Sequence, residues 1–472
     1  MTFIDIFIRT GVAGLILTIL LYFFNKPKGL IEILVEFIKN WIGALFIFSG
    51  FVKAIDPIGT GIKIGEYFEV LHMKFLEPFS LEFSIFMIVL EIVLGVALII
   101  GWQRFFTTAI SYLMMIFFTF LTGFTYVTAY CPSTTFFVLC GLVLAIITVT
   151  AFFQDKKLRI YGIAATLIAA IIVFAYCKFS GHCLLCAYDE ANMKVTSCGC
   201  FGDFIKLKPL QSFKKDLILI VMMIFLLFNY KKIKSPFTNG KLKWVALGII
   251  AIVTIATWLF CLNNYKWNEP FADFRPYKIG TNIIEDRKTK KAPVIDYVFN
   301  YKNKSTGKIR AIGMKQLATA GLTEADSFIS REEKIIDPGI PAKILDFAIY
   351  DKAGGTEVTE DILGDPAYTF LIVSYDINKA NKEAYTKKIN PLVIEANKNG
   401  CNTIVLSSNA TDQDMKAMHT EAYLYWADDV FLKTIGRGNP VILLIKDGVI
   451  LNKWHWNHLP TFDAIKKAHI KS

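Results

Sequence analysis

The chain has 472 residues, 54% of them hydrophobic and 40 of them Phe, and its mean hydropathy of +0.46 is too high for an ordinary water-soluble protein of this size. A formal charge of +11 would suit a nucleic-acid binder, but much of the excess lies in short loops between apolar runs, where lysine reports membrane topology instead. There is no Gly-rich phosphate loop, no Ser-His-Asp arrangement and no nucleic-acid motif, which removes those classes of function.

The apolar runs crowd residues 1–263, and residues 264–472 read as water-soluble sequence, so a membrane domain precedes a soluble one. A hydrocarbon core of about 30 Å takes roughly 20 residues of helix. Runs of that kind at 3–24, 37–55, 81–101, 105–128, 132–153, 158–177, 213–229 and 242–262 predict eight transmembrane helices. The first has the length and polarity of a signal anchor, but no small-residue cleavage site follows, so it counts as a span. The second carries Lys53, and the seventh is short.

Lysine and arginine then set the orientation. Lys26 and Lys28 follow the first span, Arg104 the third, Lys156, Lys157 and Arg159 the fifth, and Lys231, Lys232, Lys234, Lys241 and Lys243 the seventh. These are alternate loops, as a cytoplasmic set must be. The expected protein is therefore a multi-pass inner-membrane protein with both termini, and residues 264–472, in the periplasm.

That orientation places the cysteines. Cys131, Cys177 and Cys261 fall at outer helix ends, and Cys140 about 12 Å inside span five at 1.5 Å per residue. Cys183, Cys186, Cys198 and Cys200 lie in one outer loop, and only Cys401 belongs to the soluble region. Eight of the nine cysteines thus sit where disulfides persist, and the odd total leaves at least one thiol unpaired or paired with another chain. The loop offers Cys183-Leu-Leu-Cys186, with His182 beside it, and Cys198-Gly-Cys200 inside "SCGCFGD". A C-x-x-C pair can cycle between dithiol and disulfide, and C-x-C can close into a more strained ring. Ala187 stands where haem attachment would need His. Three readings are open: thiol–disulfide exchange, structural disulfides, or zinc on the four thiolates.

Glu91 lies ten residues into the third span, near the bilayer midplane. An intramembrane carboxylate is costly, so the functional reading is a proton relay or a contact to a quinone headgroup. The structural alternative is a protonated Glu91 bonded to Ser49, Thr119 or Thr122 on a neighbouring helix. Lys53 and Asp56, at the outer end of span two, read as an interfacial pair.

Residues 264–338 form a polar linker with a β-hairpin in "VIDYVFNYKNKSTGKIRAIG", turning at Lys304-Ser-Thr-Gly307. From 339 to 472 the pattern is strand-helix-strand-helix-strand-strand-helix. "KILDFAIYD", "YTFLIVSYDI", "NTIVLSS", "NPVILLIKDG" and "VILNKWHW" are strands, and "NKEAYTKKINPLVIEANKNG" and "TFDAIKKAHI" are helices. This resembles a thioredoxin-like domain of the TlpA or peroxiredoxin kind, with Asn439-Pro440 at the family's cis-proline position. Where that family keeps W-C-x-x-C, this chain reads "SYDINKAN" at 374–381. Without a thiolate there is no nucleophile, so the domain is expected to bind or position. Cys401 reads as a buried small residue. His455 and His458 lack a third ligand for a metal, and Asp428 and Asp429 read as solvated.

"WIGALFIFSGFVKAIDPIGTGIKIGEYFE" (41–69), "LEIVLGVALIIGW" (90–102), "FFTFLTGFTY" (117–126) and "SCGCFGDFIKLKPLQSFKKD" (197–216) resemble the DoxX-like membrane proteins, and within them the MauE (methylamine utilisation) branch. The likeness runs over about 30–290, and a form with a long soluble C-terminal region is familiar from Bacteroidota envelope proteins. It implies an all-α membrane domain built on a four-helix core, with residues 127–190 as an inserted helix pair that brings Cys131, Cys140, Cys177, Cys183 and Cys186. MauE's link to maturing a disulfide-rich dehydrogenase subunit implies thiol chemistry outside the membrane, and the DoxD and DoxX relatives imply thiosulfate:quinone oxidoreduction. The leading expectation is thiol–disulfide electron transfer or protein maturation at the periplasmic face, using Cys198/Cys200 and Cys183/Cys186, with Glu91 as a proton or quinone site. The alternatives are a non-catalytic assembly subunit of an envelope complex and a quinone-linked sulfur-compound oxidoreductase. The partners expected are the bilayer and a periplasmic protein client, not nucleic acid. No resident cofactor is required, with a quinone, or zinc at the four loop cysteines, as the candidates.

Overall fold

A computed structural model describes residues 3–130, 134–152, 155–180, 190–195, 199–205, 207–235, 237, 240, 242–304, 306–337, 339–340 and 342–470. The chain divides into two compact units, Met1–Phe274 and Arg275–Ser472.

The first unit is helical: α1 (Phe3–Asn25), α2 (Leu30–Ile55), α3 (Pro57–Val70), α4 (Ser80–Ile100), α5 (Arg104–Thr128), α6 (Thr134–Ala151), α7 (Lys156–Ser180), α8 (Pro209–Phe228) and α9 (Leu242–Leu262). A helix stands on every predicted apolar run, and α3 is an addition. Asp56 starts it, accepting from the Gly59 N–H at 2.9 Å, with Pro57 in the first turn.

Four helical segments among the described residues are long and apolar enough to cross a membrane: Phe3–Phe23, Lys74–Ile100, Arg104–Thr128 and Leu242–Trp267. The other long helices are more mixed. α2 holds Glu32, Glu36, Lys39 and Lys53, and α8 holds Lys214, Lys215 and Asp216. α6 and α7 carry the shorter apolar stretches Leu139–Thr150 and Ile160–Val173.

α2 and α4 pack backbone to backbone. A Cβ on Gly43 would meet the Gly95 carbonyl oxygen at 2.8 Å, and one on Gly50 would meet Ile92 at 2.6 Å. Small residues allow this approach where no hydrophobic effect drives helices together. At one end of the bundle three basic loops are tied to each other. The Lys234 ammonium bonds Glu32 at 2.8 Å and the Lys26 carbonyl at 3.1 Å, and Ser235 donates to the Ile100 carbonyl at 2.7 Å. Lys39, fully buried, pairs there with Glu36, which also accepts from Asn25 Nδ2 at 2.7 Å.

The second unit holds two sheets. β1 (Val294–Asn303), β2 (Ile309–Gly313) and β3 (Asp326–Asp337) form an antiparallel sheet in the order β2-β1-β3. The expected hairpin is β1–β2, and β3 pairs along the whole of β1.

The larger sheet runs β6-β5-β4-β7-β8, with β4 (Thr369–Val373), β5 (Asn402–Ser407), β6 (Tyr423–Trp426), β7 (Val441–Lys446) and β8 (Val449–His455). β4, β5 and β6 are parallel, and β7 is antiparallel to both β4 and β8. All five residues of β4 are buried, as a central strand covered on both faces requires. Phe370 and Ile372 pack with Tyr385, Leu392 and Val393, and Leu371 and Val373 with Phe347 and Phe431 on the other face.

One predicted strand is not there. "KILDFAIYD" makes only isolated bridges at Tyr350, to Glu357 and Trp426. Its apolar residues Ile344, Phe347 and Ile349 are buried in the core, so its apolar content reports packing, not a ladder. The helix Asn390–Lys398 gives way to a chain reversal at Gly400, with φ of +70°. Pro391 lacks the N–H that would close the preceding turn, and the chain opens there into a π turn at Tyr385–Ile389.

Candidate functional site

Two of the residues singled out in the sequence, Glu91 and Cys200, line one narrow cavity of about 60 Å3 inside the helical unit. Its walls come from α2, α3, α4, α5, α8 and the turn carrying "CGCFGD". Ser49 and Lys53 lie one turn apart on α2 and so share a face. The Lys53 ammonium reaches Glu91 Oε2 on α4 at 2.6 Å, with the two side chains only 6% and 4% exposed. It also lies 4.8 Å above the Phe118 ring of α5, a cation–π contact. Glu91 is thus held by a cation, not by the hydroxyls considered for it. Ser49 donates to the Cys200 carbonyl at 3.0 Å, Thr119 bonds back to Met115, and Thr122 turns to α8. Lys53 correspondingly leaves the interfacial role: it is a buried ion-pair partner, while Asp56 caps α3.

A second pair completes the cavity. Lys215 and Asp216 of α8 lie 2.9 Å apart, and Thr122 of α5 donates to the other Asp216 oxygen at 2.9 Å. The Lys215 ammonium lies 5.4 Å from the Phe201 ring. Lys63 of α3 stands at the partly exposed rim, paired with Glu66 at 2.7 Å.

The glycines of the motif have a conformational task. Gly199 and Gly202 take φ of +64° and +51°, and the Gly202 N–H bonds the Gly199 carbonyl at 3.1 Å. This turn drives Cys200 and Phe201 into the bundle, where they are 8% and 1% exposed. A side chain at either glycine would strain the left-handed backbone.

Burying two ion pairs inside the helical unit is not a route to stability, because desolvation costs several kcal/mol per ion and mutual attraction only offsets it. Charges kept there next to a cysteine have the character of a working site. The cavity gathers two ammonium groups, two carboxylates and Cys200 around room for a few water molecules.

Cys183, Cys186 and Cys198 lie outside the described residues, as do His182 and Cys131. Cys140 faces a different, apolar cleft, and Cys261 is buried beside Ala54, Ile88 and Ile92. Cys401 is buried in the core of the second unit, where burial pushes its thiol pKa up. His455 is buried, and its Nδ1 accepts from the Asn457 N–H at 3.2 Å. Among the described residues no cluster of three or more His, Cys, Asp or Glu could hold a metal ion. Asp428 caps the helix Asp429–Ile435 and Asp429 pairs with Lys433.

"SYDINKAN" is closed by polar bonds. Ser374 and the Tyr385 hydroxyl are 2.7 Å apart in the core, and burial pushes the Tyr385 pKa up to about 12. Asp376 accepts from Asn409 Nδ2 at 2.9 Å and its carbonyl from Asn439 Nδ2 at 2.7 Å. Burial opposes its ionisation, but Asn409, Lys379 and the Asn378 N–H together hold its carboxyl below the usual carboxylate range. The Asn439–Pro440 bond is cis.

With this geometry in view, the comparisons bear on the walls of the cavity. Residues 31–133 match the family model for methylamine utilisation protein MauE. That segment spans α2 to α5, so Ser49, Lys53, Glu91 and Thr122 all lie within the MauE-like part. The chain is also 30% identical over 122 residues to Protein TlpB of Flavobacterium psychrophilum, covering 26% of this chain and 31% of that protein, so it spans about a third of that relative's length. No solved structure matches the chain. The apolar helices together with the MauE match make this a multi-pass membrane protein. Sequence reasoning missed Lys53 as the partner of Glu91, and missed Lys215 and Asp216. The available signal was that each is a charge inside or beside an apolar run, where a partner of opposite sign is expected.

Proposed function

We propose that the protein carries out thiol–disulfide electron transfer, or protein maturation through it, at the periplasmic face of the inner membrane. The observation that carries this reading is the convergence of Cys200 and the buried Lys53–Glu91 pair on one cavity in the MauE-like bundle. On this reading all eight long helices span the bilayer, and the ion pairs Lys53–Glu91 and Lys215–Asp216 satisfy the charges that α2 and α8 bring to the cavity. The three basic loops tied together at one end of the bundle support a cytoplasmic placement for them, which leaves both termini and residues 275–472 outside. Cys198 and Cys200 form the exchanging pair, with Cys183 and Cys186 as a second pair on the same side.

The outer unit is read as a thioredoxin-like domain that docks a client. Support comes from its β6-β5-β4-β7-β8 order and from the polar closure of residues 374–381 where a dithiol would stand. The same closure favours a second reading, in which the whole chain is a non-catalytic assembly subunit.

Replacing Cys198 or Cys200 singly by Ser in the full chain separates the two. Under the exchange reading one of the variants accumulates mixed disulfides with other envelope proteins, visible as reductant-sensitive adducts. Under the assembly reading both variants lower the chain's stability and neither traps a partner.

A further inference from the structure

Three lysines line the polar cavity, and their ammonium groups are not equally held. Lys53 lies 2.6 Å from Glu91 and Lys215 2.9 Å from Asp216, with all four side chains at most 8% exposed. Such a pair is not given up, because separating it leaves a bare charge out of water. Lys63 of α3 donates to both oxygens of Glu66, at 2.7 and 2.9 Å, but these side chains are 29% and 35% exposed. An ion pair with that access to water is weak, so Lys63 is the cation at the cavity that can change partner. Its stem lies across the C-G-C turn. A Cβ on Gly199 would stand 3.3 Å from Lys63 Cγ and 3.4 Å from Lys63 Cβ, so a side chain there would press the stem away. The base of the stem is held by α3. Ser84 of α4 donates to the Pro57 carbonyl at 2.9 Å, and the Tyr67 and Thr125 hydroxyls are 2.6 Å apart. Beyond Cγ the chain keeps the freedom of a lysine.

We propose that Lys63 is the charge partner of the Cys200 thiolate. When the thiol ionises, its proton passes to water in the cavity, and the ammonium leaves Glu66 and turns over Gly199 toward the sulfur. The inference rests on the exchange reading above, in which the thiolate is the nucleophile. The walls around Cys200 bring Lys53 from α2, Lys63 and Tyr67 from α3, Glu91 from α4, and Lys215 and Asp216 from α8, with no ionisable group from α5. Glu66 stands behind Lys63, and Asp203 follows in the turn itself. Glu91 and Asp216 oppose a new negative charge, and Lys53 and Lys215 are committed to them. Tyr67 is engaged with Thr125. That leaves Lys63 to supply the positive charge, and Gly199 the bare backbone over which it moves.

The test is the pH profile of Cys200 alkylation in the full chain, held in phospholipid vesicles. After mild reduction the thiols react with iodoacetamide at pH values on either side of the ordinary thiol pKa of about 8.5, and fragmentation of the peptide resolves Cys200 from Cys198. Lys63→Met is expected to move the midpoint up by about one pH unit, about a tenfold loss of rate at neutral pH. Lys63→Arg should leave the midpoint in place, and Glu66→Gln, which frees the ammonium, should move it down. A structural role would not give opposite displacements, since losing either partner of the pair would disturb the turn alike. Equal midpoints in the parent and Lys63→Met, or displacements in the same direction in Lys63→Met and Glu66→Gln, overturn the assignment and leave the exchange reading standing. A reduced Cys200 that no pH makes reactive overturns the exchange reading and the assignment with it.

Discussion

The cavity of the helical unit and the polar cluster beside β4 and β5 use similar residue types to opposite ends. In the cavity two ion pairs are held out of water, with Cys200 on the wall and Lys63 at the rim. In the second unit Asp376 is engaged by Asn409, Asn378 and Lys379, the chain around it is tied by Asn439, and residues 374–381 contain no thiol. Charge kept at a cost beside a sulfur is an arrangement for chemistry. Charge satisfied at a loop end, with no nucleophile, fixes a surface. The sheet-rich unit thus carries no thiol along residues 374–381, whereas the helical unit brings Cys200 beside two buried ion pairs.

Breaking one partner of a buried pair has the largest expected effect. Glu91→Leu leaves the Lys53 ammonium uncompensated and lowers stability in detergent by about 3–5 kcal/mol, whereas the double variant Glu91→Leu/Lys53→Met recovers most of the loss. A thermal-unfolding cycle over the four proteins measures it, and additive losses would show that the two charges are not coupled. Next come the glycines of the motif. Gly199→Ala and Gly202→Ala each cost about 1–2 kcal/mol through the left-handed backbone, and should raise the labelling rate of Cys200 by a membrane-permeant maleimide.

Ser49→Ala removes one hydrogen bond to the Cys200 carbonyl, worth about 1 kcal/mol. It is expected to change Cys200 reactivity more than overall stability, and equal changes in both would make Ser49 purely structural. Tyr385→Phe in the second unit costs about 1 kcal/mol by orphaning Ser374, with no effect on the thiols. That insensitivity is the sharpest contrast between the two regions. The smallest effect is from pH. The folded Asp376 carboxyl titrates below its ordinary value of about 3.9, so its contribution is present above that value and fades as pH falls through the folded pKa. Asp376→Asn should lower the second unit's stability by a constant amount above pH 5 and flatten the acid limb of its unfolding curve.

What could be read in advance follows the physics of each element. Eight apolar runs announced eight helices, because hydrocarbon tolerates helical backbone with internal hydrogen bonds and little else. The buried run TFLIV announced β4, and Gly400 announced the end of the helix before it. "KILDFAIYD" misled, because apolar residues report which side chains are buried and not whether the backbone finds a ladder. α3 was missed since a 14-residue helix with Lys63, Glu66 and Glu69 has neither a span's apolarity nor a strong stripe. At the site, Glu91 was legible as an isolated charge and Cys200 as part of a motif. Their meeting, and the pairing with Lys53, depend on the crossing of α2 and α4 through Gly43, Gly50 and Gly95, which no local pattern encodes.

The most direct test of the thiol chemistry is the redox state of the 177–200 segment in intact membranes. Cells would be quenched in acid, free thiols tagged by mass, and the peptides mapped with and without mild reductant. A mixture of disulfide and dithiol at Cys198/Cys200 that mild reductant re-poises quickly is the predicted result. Complete oxidation that mild reductant leaves untouched, or thiols that become accessible only after a chelator is added, would contradict it.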